Sequence, residues 1–360
     1  MLRSWAFLLA AGAWLAPAAS PAGDLTVVSW GGAITKSQAE TYHKPWMAGT
    51  GHRILSEDYN GGLSEIKAQV EAGNVTWDVM DVEDSDAVLG CDEGLLEEID
   101  PAVLPAAPDG TPAEEDFIEG TLLDCGVGTT VWATVYAYDQ TRLSPPPATI
   151  RDFFDLEKFP GRRGMRKTPK VNLEMALVAD GVPPDRVYAV LATPEGVDRA
   201  FARLNSIKAQ VIWWEVGAQP PQLLIDGEVV MSTAYNGRIF NAIAGEGQPL
   251  AMVWDAQVLA VDHWAVVKGS PNRELALDFV RFASIPENMA ALASRIPYAP
   301  PRRSASALVG GYHTDPDLDM RPHLPTWPDN MKTAVWNDKE FWADHIDELN
   351  ERFNAWLIEE

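Results

Sequence analysis

The pattern of apolar and polar residues in the first part of the chain predicts alternating strands and helices. Residues 25–30 alternate between the two types and end at a Gly-Gly pair, which is typical of a strand that runs into a turn. Apolar residues over 63–70 then recur at helical spacing, and residues 77–82 form a second predicted strand. A strand, a helix and a strand at this spacing indicate a βαβ unit and a parallel sheet. A longer strand is predicted over 126–138.

The later part of the chain has the same character. Its patterns predict strands over 229–235 and 259–267, and helices over 195–208, 274–283 and 286–295. A last amphipathic helix is predicted from the apolar face formed by Phe341, Ile346, Leu349, Phe353, Trp356 and Leu357. The sequence therefore predicts an α/β fold throughout.

Length and charge narrow the possible functions. The chain has 360 residues, which exceeds one comfortable hydrophobic core and predicts two domains. The net charge is −24, so the surface repels nucleic acid and anionic lipid and favours cationic ligands. There are 14 tryptophans, and because exposed Trp lowers solubility, we expect several to line a groove or pocket.

The N-terminus predicts export from the cytoplasm. Arg3 precedes an apolar run over 6–16, and small residues over 17–22 follow it. This layout is typical of a secretory signal peptide, here residues 1–22. The apolar run is shorter than the roughly 20 residues that a membrane-spanning helix needs. We therefore expect the mature protein to be free of the membrane.

The two cysteines, Cys91 and Cys125, are an even pair in a chain that we expect to be exported. Such a pair is typical of a disulfide, with two free thiols as the alternative. Closing that loop would stabilise the fold by about 3.8 kcal/mol on the chain-entropy argument.

The sequence lacks the motifs of catalysis and metal binding. It contains no Gly-x-Ser-x-Gly, no His-Glu-x-x-His and no Gly-rich phosphate loop with Lys, and its six histidines show no ligand spacing. The acidic run 315–319 resembles the start of a calcium loop but has Met320 and Thr326 where that loop needs Gly and Glu. We therefore expect no enzyme, no cofactor and no metal site, and an exported hydrolase is the less favoured alternative.

Ten short segments, in order along the mature chain, resemble the periplasmic spermidine/putrescine-binding proteins of ABC transporters. They are Leu25–Gly32, Trp77–Val79, Gly94–Asp100, Phe153–Asp155, Phe159–Gly161, Asp226–Val229, Tyr235–Gly237, Asp262–Asn272, Ala276–Ala283 and Ile296–Tyr298. The resemblance implies a two-lobed α/β periplasmic binding protein of the Venus-flytrap kind (type II-like) with hinge strands. Lobe 1 would comprise 24–135 plus 263–305, and lobe 2 would comprise 136–262 plus 306–360.

The same resemblance implies a function. The protein would be periplasmic and would capture a small amine of the putrescine or spermidine type between its lobes. It would deliver that ligand to an ABC transporter permease in the inner membrane, and we expect it to act as a monomer. A bound amine needs carboxylates to pair with its ammonium groups and aromatic faces to hold its methylenes.

The resemblance also assigns candidate ligand-binding residues. Asp262 stands where that family has an amine-binding aspartate, and Trp30 matches an aromatic residue of its first lobe. Glu83 and Asp84 follow the 77–82 strand, where the family uses a polar contact, and Tyr235 replaces a family Trp. The alternatives are a surface aspartate, ordinary core packing and a solvated acidic loop.

Further aromatic candidates lie elsewhere in the chain. Trp213 and Trp214 precede a Gln-Pro-Pro segment, and we expect one of them to face the cleft, with core packing as the alternative for each. Trp132 and Tyr136 lie near the first predicted lobe crossing and are weaker candidates.

One segment departs from the resembling family. Lys170 and Val171 stand near the positions where that family has a second acidic pair, and Glu174 would have to compensate from one helical turn further on. Arg238 adds a positive charge near the cleft. A long linear polyamine is therefore in doubt, and the alternative is a binding protein of the same fold for an amino-acid-like zwitterion, thiamine or iron.

Overall fold

The computed structural model describes residues 23–359, and the predicted signal peptide 1–22 lies outside them. The strands are β1 (Asp24–Ser29), β2 (Arg53–Asp58), β3 (Val79–Glu83), β4 (Leu122–Leu123), β5 (Gly126–Asp139), β6 (Arg163–Arg166), β7 (Val211–Trp214), β8 (Met231–Tyr235), β9 (Leu250–Val266), β10 (Gly311–Tyr312), β11 (Asp315–Asp319) and β12 (Val335–Trp336). Within the described residues, β10 and β11 pair with each other and the remaining strands form one sheet.

The α-helices surround this sheet. They are α1 (Gly32–Gln38), α2 (Lys44–Thr50), α3 (Ser64–Glu71), α4 (Asp84–Asp92), α5 (Ala113–Asp116), α6 (Ile150–Phe153), α7 (Asn172–Ala179), α8 (Val187–Leu191), α9 (Pro194–Asn205), α10 (Gln219–Ile225), α11 (Asn236–Phe240), α12 (Arg273–Ala283), α13 (Pro286–Ala293), α14 (Arg303–Leu308) and α15 (Lys339–Ile358). A π-helical turn, Ala39–His43, joins α1 to α2, and another, Asn241–Gly245, follows α11. Single 3₁₀ turns lie at Pro101–Val103, Pro184–Arg186, Lys208–Gln210, Arg321–His323 and Asn330–Thr333.

The predicted elements are confirmed, and all but one of them agree with the observed bounds to within three residues. The strand predicted over 259–267 is only the second half of β9, which begins at Leu250. Ala256 has a φ of 57° inside that strand, and the β5–β9 register shifts beside it, so the alternating pattern is interrupted there. The acidic run 315–319, which resembles the start of a calcium loop, forms β11.

The order of the main strands is β2-β1-β3-β9-β5-β8-β6-β7. The pairs β1–β2 and β1–β3 are parallel, as the βαβ pattern predicts. The sheet as a whole is mixed, because β9 runs antiparallel to β3 and β5, and β5 runs antiparallel to β8. The two long strands β5 and β9 thus lie at its centre and join its two halves.

The buried side chains form separate groups on either side of this centre. The first lobe has a core that includes Leu25, Val27, Trp46, Trp264 and Phe279. The second lobe has a core that includes Phe153, Met165, Leu177, Phe201 and Phe353. A third group packs around the middle of β5 and β9 and includes Val131, Ala133, Leu259, Val261 and Leu324. The residue boundaries of the lobes given above stay a prediction.

The predicted disulfide between Cys91 and Cys125 is present. It joins α4 to the start of β5 with a Cα–Cα distance of 5.6 Å. The bond therefore ties the helix that follows β3 to one of the two central strands. Over residues 23–359, the apolar stretches of the helices are too short or too polar to cross a membrane.

Candidate functional site

A small cavity lies where the two lobes meet. It is lined by Trp30, Ile34, Asn60, Glu83, Trp132, Arg166, Gly217, Tyr235, Arg238, Asp262 and Tyr298. Several of these residues follow the carboxyl ends of strands β1, β6 and β8, where ligands bind in open α/β sheets. The cavity has a volume of about 40 Å³, which is room for about three water molecules.

Asp262 supplies a buried carboxyl group to this cavity. It lies on β9 opposite Glu83 of β3, and its Oδ1 accepts a hydrogen bond of 2.8 Å from Trp132 Nε1. Burial raises the pKa of Asp262 well above its ordinary value, and the nearby carboxyl groups of Asp81 and Glu83 raise it further. A cation at this carboxyl would relieve that repulsion.

Asp81 lies behind Asp262, deeper in the first lobe. Its Oδ2 accepts hydrogen bonds from Gln38 Nε2 at 2.6 Å and from Ser29 Oγ at 3.1 Å. Burial raises the pKa of Asp81 above its ordinary value. The end of β3 and the facing part of β9 therefore form an acidic wall of three carboxyl groups.

Glu83 carries the third carboxyl group and already has cationic partners from the second lobe. Lys170 Nζ lies 2.8 Å from its Oε2, and Arg166 Nη1 lies 3.6 Å from its Oε1. Burial alone would raise the pKa of Glu83, but these two cations lower it below the ordinary value. Glu83 is thus ionised and paired across the lobe interface.

Arg238 crosses the same interface from α11. Its Nη2 donates hydrogen bonds to the backbone oxygens of Gly31 at 2.9 Å and Trp30 at 3.3 Å. The guanidinium approaches so closely that a Cβ added at Gly32 would lie 2.0 Å from Nη1, and Gly32 has a φ of 62°. The positive φ favours glycine at position 32, and a larger residue there would also displace the guanidinium of Arg238.

Aromatic side chains form the other walls of the cavity. Trp30 packs on Tyr59 with ring centroids 4.8 Å apart. Tyr235 makes edge contacts with Trp132 at 5.1 Å and with Trp214 at 5.7 Å. Burial raises the pKa of Tyr235, so its hydroxyl stays neutral and can donate or accept a hydrogen bond.

The structure brings five of the predicted ligand-binding residues to this cavity, namely Trp30, Glu83, Tyr235, Arg238 and Asp262, together with the weaker candidate Trp132. Asp84 follows Glu83 in the chain but is not one of the residues that line the cavity. It accepts a hydrogen bond of 2.8 Å from Asn337 Nδ2 and lies 3.8 Å from Lys170 Nζ. Trp214 is buried behind Tyr235 and lines a smaller adjoining cavity.

Three candidates lie elsewhere, and the corresponding predictions are corrected. Trp213 and Trp214 are successive residues of β7 and therefore point to opposite faces of the sheet. Trp213 faces the core of the second lobe, where its ring packs on Phe353 and Trp356 of α15. Glu174 is fully buried in the same lobe and accepts hydrogen bonds of 2.8 Å from the Tyr188 hydroxyl and Trp342 Nε1. Tyr136 donates to the backbone oxygen of Thr149 and belongs to that core.

Sequence reasoning missed five residues that line the cavity, namely Ile34, Asn60, Arg166, Gly217 and Tyr298. Arg166 ends β6, a strand of only four residues that has no clear alternating pattern. Asn60 precedes a Gly-Gly turn, and Tyr298 ends the Ile296–Tyr298 segment of the resemblance, which assigns it no role. Ile34 shows no distinguishing signal. In the described part of the chain, His, Cys, Asp and Glu side chains form no group of three or more that could hold a metal ion.

The chain is similar to known solute-binding proteins over most of its length. Residues 39–326 match the family described as bacterial extracellular solute-binding protein. The gamma-aminobutyric acid (GABA)-binding protein of Pseudomonas aeruginosa is 46% identical over 344 residues, which are 96% of this chain and 94% of that protein.

Two solved structures are also similar to this chain over most of its length. The PBP MotA of A. tumefaciens B6, in complex with glucopine, has a TM-score of 0.83 and 30% identity, and the match covers 93% of this chain and 100% of that one. A GABA receptor has a TM-score of 0.80 and 32% identity, and the match covers 94% and 98%. The two-lobed α/β fold predicted from the sequence is therefore confirmed. The chain belongs to the bacterial extracellular solute-binding protein family.

Proposed function

We propose that this protein captures a short zwitterionic amino acid of the size of GABA in the periplasm and delivers it to an ABC permease. The observation that carries the proposal is that one small cavity is lined by groups of both charge signs, Asp262 on one strand and Arg166 and Arg238 from the facing lobe. A ligand that carries one ammonium and one carboxylate group complements such a lining. The protein acts as a monomeric carrier and catalyses no reaction.

Asp262 and the aromatic walls suit the ammonium end of the ligand. The carboxyl is buried among other carboxyls, so a cation placed beside it removes repulsion as well as forming an ion pair. Trp30 and Trp132 line the same space and supply aromatic faces. Attraction between a cation and such a face contributes about 0.5–2 kcal/mol.

The arginines suit the carboxylate end. The Nε atom of Arg238 and the Nε1 atom of Trp30 are buried N–H donors that have no acceptor among the described residues. A buried donor without an acceptor is costly, and a ligand carboxylate would supply two acceptor oxygens. These two residues also line the cavity on the side where Arg238 reaches the first lobe.

The size of the cavity favours a short ligand. At about 40 Å³ the cavity is small, so a four-carbon ligand needs less opening of the lobes than an extended polyamine does. Two similar proteins, a GABA-binding protein and a GABA receptor, support the same ligand class. A short amine that pairs with Asp262 alone is the second candidate, since the carboxyl cluster around Asp262 would bind any compact cation.

Four ligands that share a four-carbon chain test the proposal. GABA carries both charges, butylamine only the ammonium, butyrate only the carboxylate, and putrescine two ammonium groups. We expect GABA to raise the melting temperature and to bind most tightly in isothermal titration calorimetry, because binding to the folded state alone stabilises it. Butylamine and butyrate should each bind at least ten-fold more weakly.

Two other outcomes would contradict the proposal. Putrescine or butylamine binding more tightly than GABA would establish the amine instead. If none of the four raises the melting temperature, a short four-carbon zwitterion is the wrong class.

A further inference from the structure

A second, smaller cavity adjoins the one described above. It is lined by Glu83, Trp132, Thr134, Arg166, Lys170, Val171, Asn172, Trp214, Thr233, Tyr235, Val258, Ala260 and Asn337. Four of these residues also line the first cavity, namely Glu83, Trp132, Arg166 and Tyr235. The second cavity has a volume of only about 10 Å³, which is less than one water molecule occupies comfortably.

Lys170 lines this second cavity and reaches across the lobe interface. Its Nζ lies 2.8 Å from Glu83 Oε2, 2.9 Å from Ser85 Oγ and 3.8 Å from Asp84 Oδ1. Lys170 is 7% exposed and belongs to the second lobe, whereas its three partners end β3 and begin α4 in the first lobe. An ammonium group therefore lies between two carboxylates beside the ligand cavity.

The local backbone holds Lys170 in this position. Val171 has a φ of 74°, which is a costly conformation for a β-branched residue. Asn172 Nδ2 donates to the backbone oxygens of Arg166 and Thr168, each at 2.7 Å, and closes the loop around Lys170. Strained backbone of this kind persists where the surroundings fix it, and it is common at ligand-binding sites.

We propose that Lys170 determines ligand specificity by occupying the place of a second ligand ammonium. Because its own ammonium pairs with Glu83 and Asp84, a diamine that places one end at Asp262 finds no free carboxylate for the other end. It would also meet the like charge of Lys170. The site therefore accepts ligands with a single ammonium and rejects diamines. This inference rests on the proposed capture of a single-ammonium ligand at Asp262.

The charge state of Lys170 is consistent with this role. Burial alone would lower its pKa, but Glu83 and Asp84 outweigh burial and raise the pKa above the ordinary value for lysine. The ammonium is thus present at any pH at which the protein would work. A lysine that only stabilised the closed structure would make the same contacts. The test therefore needs a measurement for which the structural role and the specificity role predict different results.

That measurement is the gain of diamine binding when both the charge and the volume of Lys170 are removed. Lys170→Ala frees the carboxylates and the space, Lys170→Met frees the carboxylates but keeps the space filled, and Lys170→Arg keeps the charge. We expect the alanine variant alone to bind putrescine at least ten-fold more tightly than the unmodified protein, by calorimetry. Lys167→Ala is the matched control, because Lys167 lies three residues away and makes an exposed ion pair with Glu215.

The proposal is overturned if folded Lys170→Ala, verified by circular dichroism, gains no putrescine affinity, or if Lys170→Arg or Lys167→Ala gains as much. If the alanine variant does not fold, Lys170→Ser replaces it, because serine also removes both the charge and most of the volume. The ratio of putrescine to GABA affinity should then rise at least three-fold, and an unchanged ratio overturns the proposal.

GABA binding by the unmodified protein separates this inference from the proposed function. A protein that does not bind GABA but whose Lys170→Ala variant gains putrescine contradicts the ligand class and supports the role of Lys170. The reverse result supports the ligand class and contradicts that role.

Discussion

Two buried ion pairs differ in what surrounds them. Arg302 and Asp116 both lie inside the first lobe, where Arg302 Nε donates to Asp116 Oδ2 at 2.6 Å and Nη1 donates to the backbone oxygen of Ser284. Lys170 and Glu83 meet at 2.8 Å, but each comes from a different lobe. Both pairs are nearly inaccessible to solvent, at 0% and 5% exposure for the side chains of the first pair and 9% and 11% for those of the second.

The difference lies in how each pair can regain water. The charges inside the lobe are hydrated again only when that lobe unfolds, so removing one partner leaves the other charge uncompensated in the folded state and lowers its stability. The charges at the interface are hydrated again when the lobes separate, and hinge opening of this kind leaves each core intact. Buried charge in the lobe therefore acts on folding, whereas buried charge at the interface acts on closure and ligand selection.

The largest expected effect is on the pair inside the lobe. Replacing Arg302 by Met removes the cation and leaves Asp116 buried with only Ser304 as a hydrogen-bond donor. We expect the free energy of unfolding to fall by about 3–5 kcal/mol, as measured by urea denaturation. Arg321→Met is the control, since Arg321 pairs with Asp319 on the surface and should change stability by less than about 1 kcal/mol. Equal losses in the two variants would contradict this distinction.

A smaller effect, on binding and not on folding, is expected at Asp262. Asp262→Asn keeps an oxygen that can accept the hydrogen bond from Trp132 Nε1 but removes the negative charge. We expect the affinity for a ligand ammonium to fall more than ten-fold, measured by calorimetry, with the midpoint of unfolding little changed. An unchanged affinity would remove Asp262 from the site.

The smallest expected effect is a pH dependence of binding. Burial, Asp81 and Glu83 raise the pKa of Asp262, so in the free protein Asp262 keeps its proton above the pH at which an ordinary carboxyl ionises. An ammonium ligand needs the carboxylate form, hence its binding releases a proton and its affinity rises with pH until Asp262 is ionised in the free protein. Calorimetry in two buffers of different ionisation enthalpy measures that release. The Asp262→Asn variant should release no proton on binding. A binding heat of the unmodified protein that is the same in both buffers would show that Asp262 does not titrate on binding.

The elements that the sequence predicts are those that depend on a clear local spacing of apolar residues. The predicted strands over 25–30 and 126–138 correspond to β1 and β5, where a buried face imposes a pattern on the residues themselves. The first half of β9 was missed, because the left-handed residue Ala256 shifts its register. A break in the backbone of one strand leaves no clear signal in the amino-acid types around it.

The site was less predictable because it is assembled from distant segments. Trp213 and Trp214 are adjacent and chemically identical, yet only Trp214 lies beside the cavity, and which of them does so depends on the face that β7 presents to α15. Arg166 has no motif around it and reaches the cavity only because β6 ends there. Lys170 was recognised as a departure from a family pattern, but its pairing with Glu83 depends on the closure of two lobes.

The contacts of Arg238 have a consequence for the rate at which a ligand leaves. Its two hydrogen bonds to the backbone of Gly31 and Trp30 link α11 of the second lobe to the end of β1 in the first. These bonds break only when the lobes move apart, and a trapped solute escapes by that same movement. The residence time of the solute is then governed by how often the protein opens, so two ligands with different contacts can dissociate at similar rates.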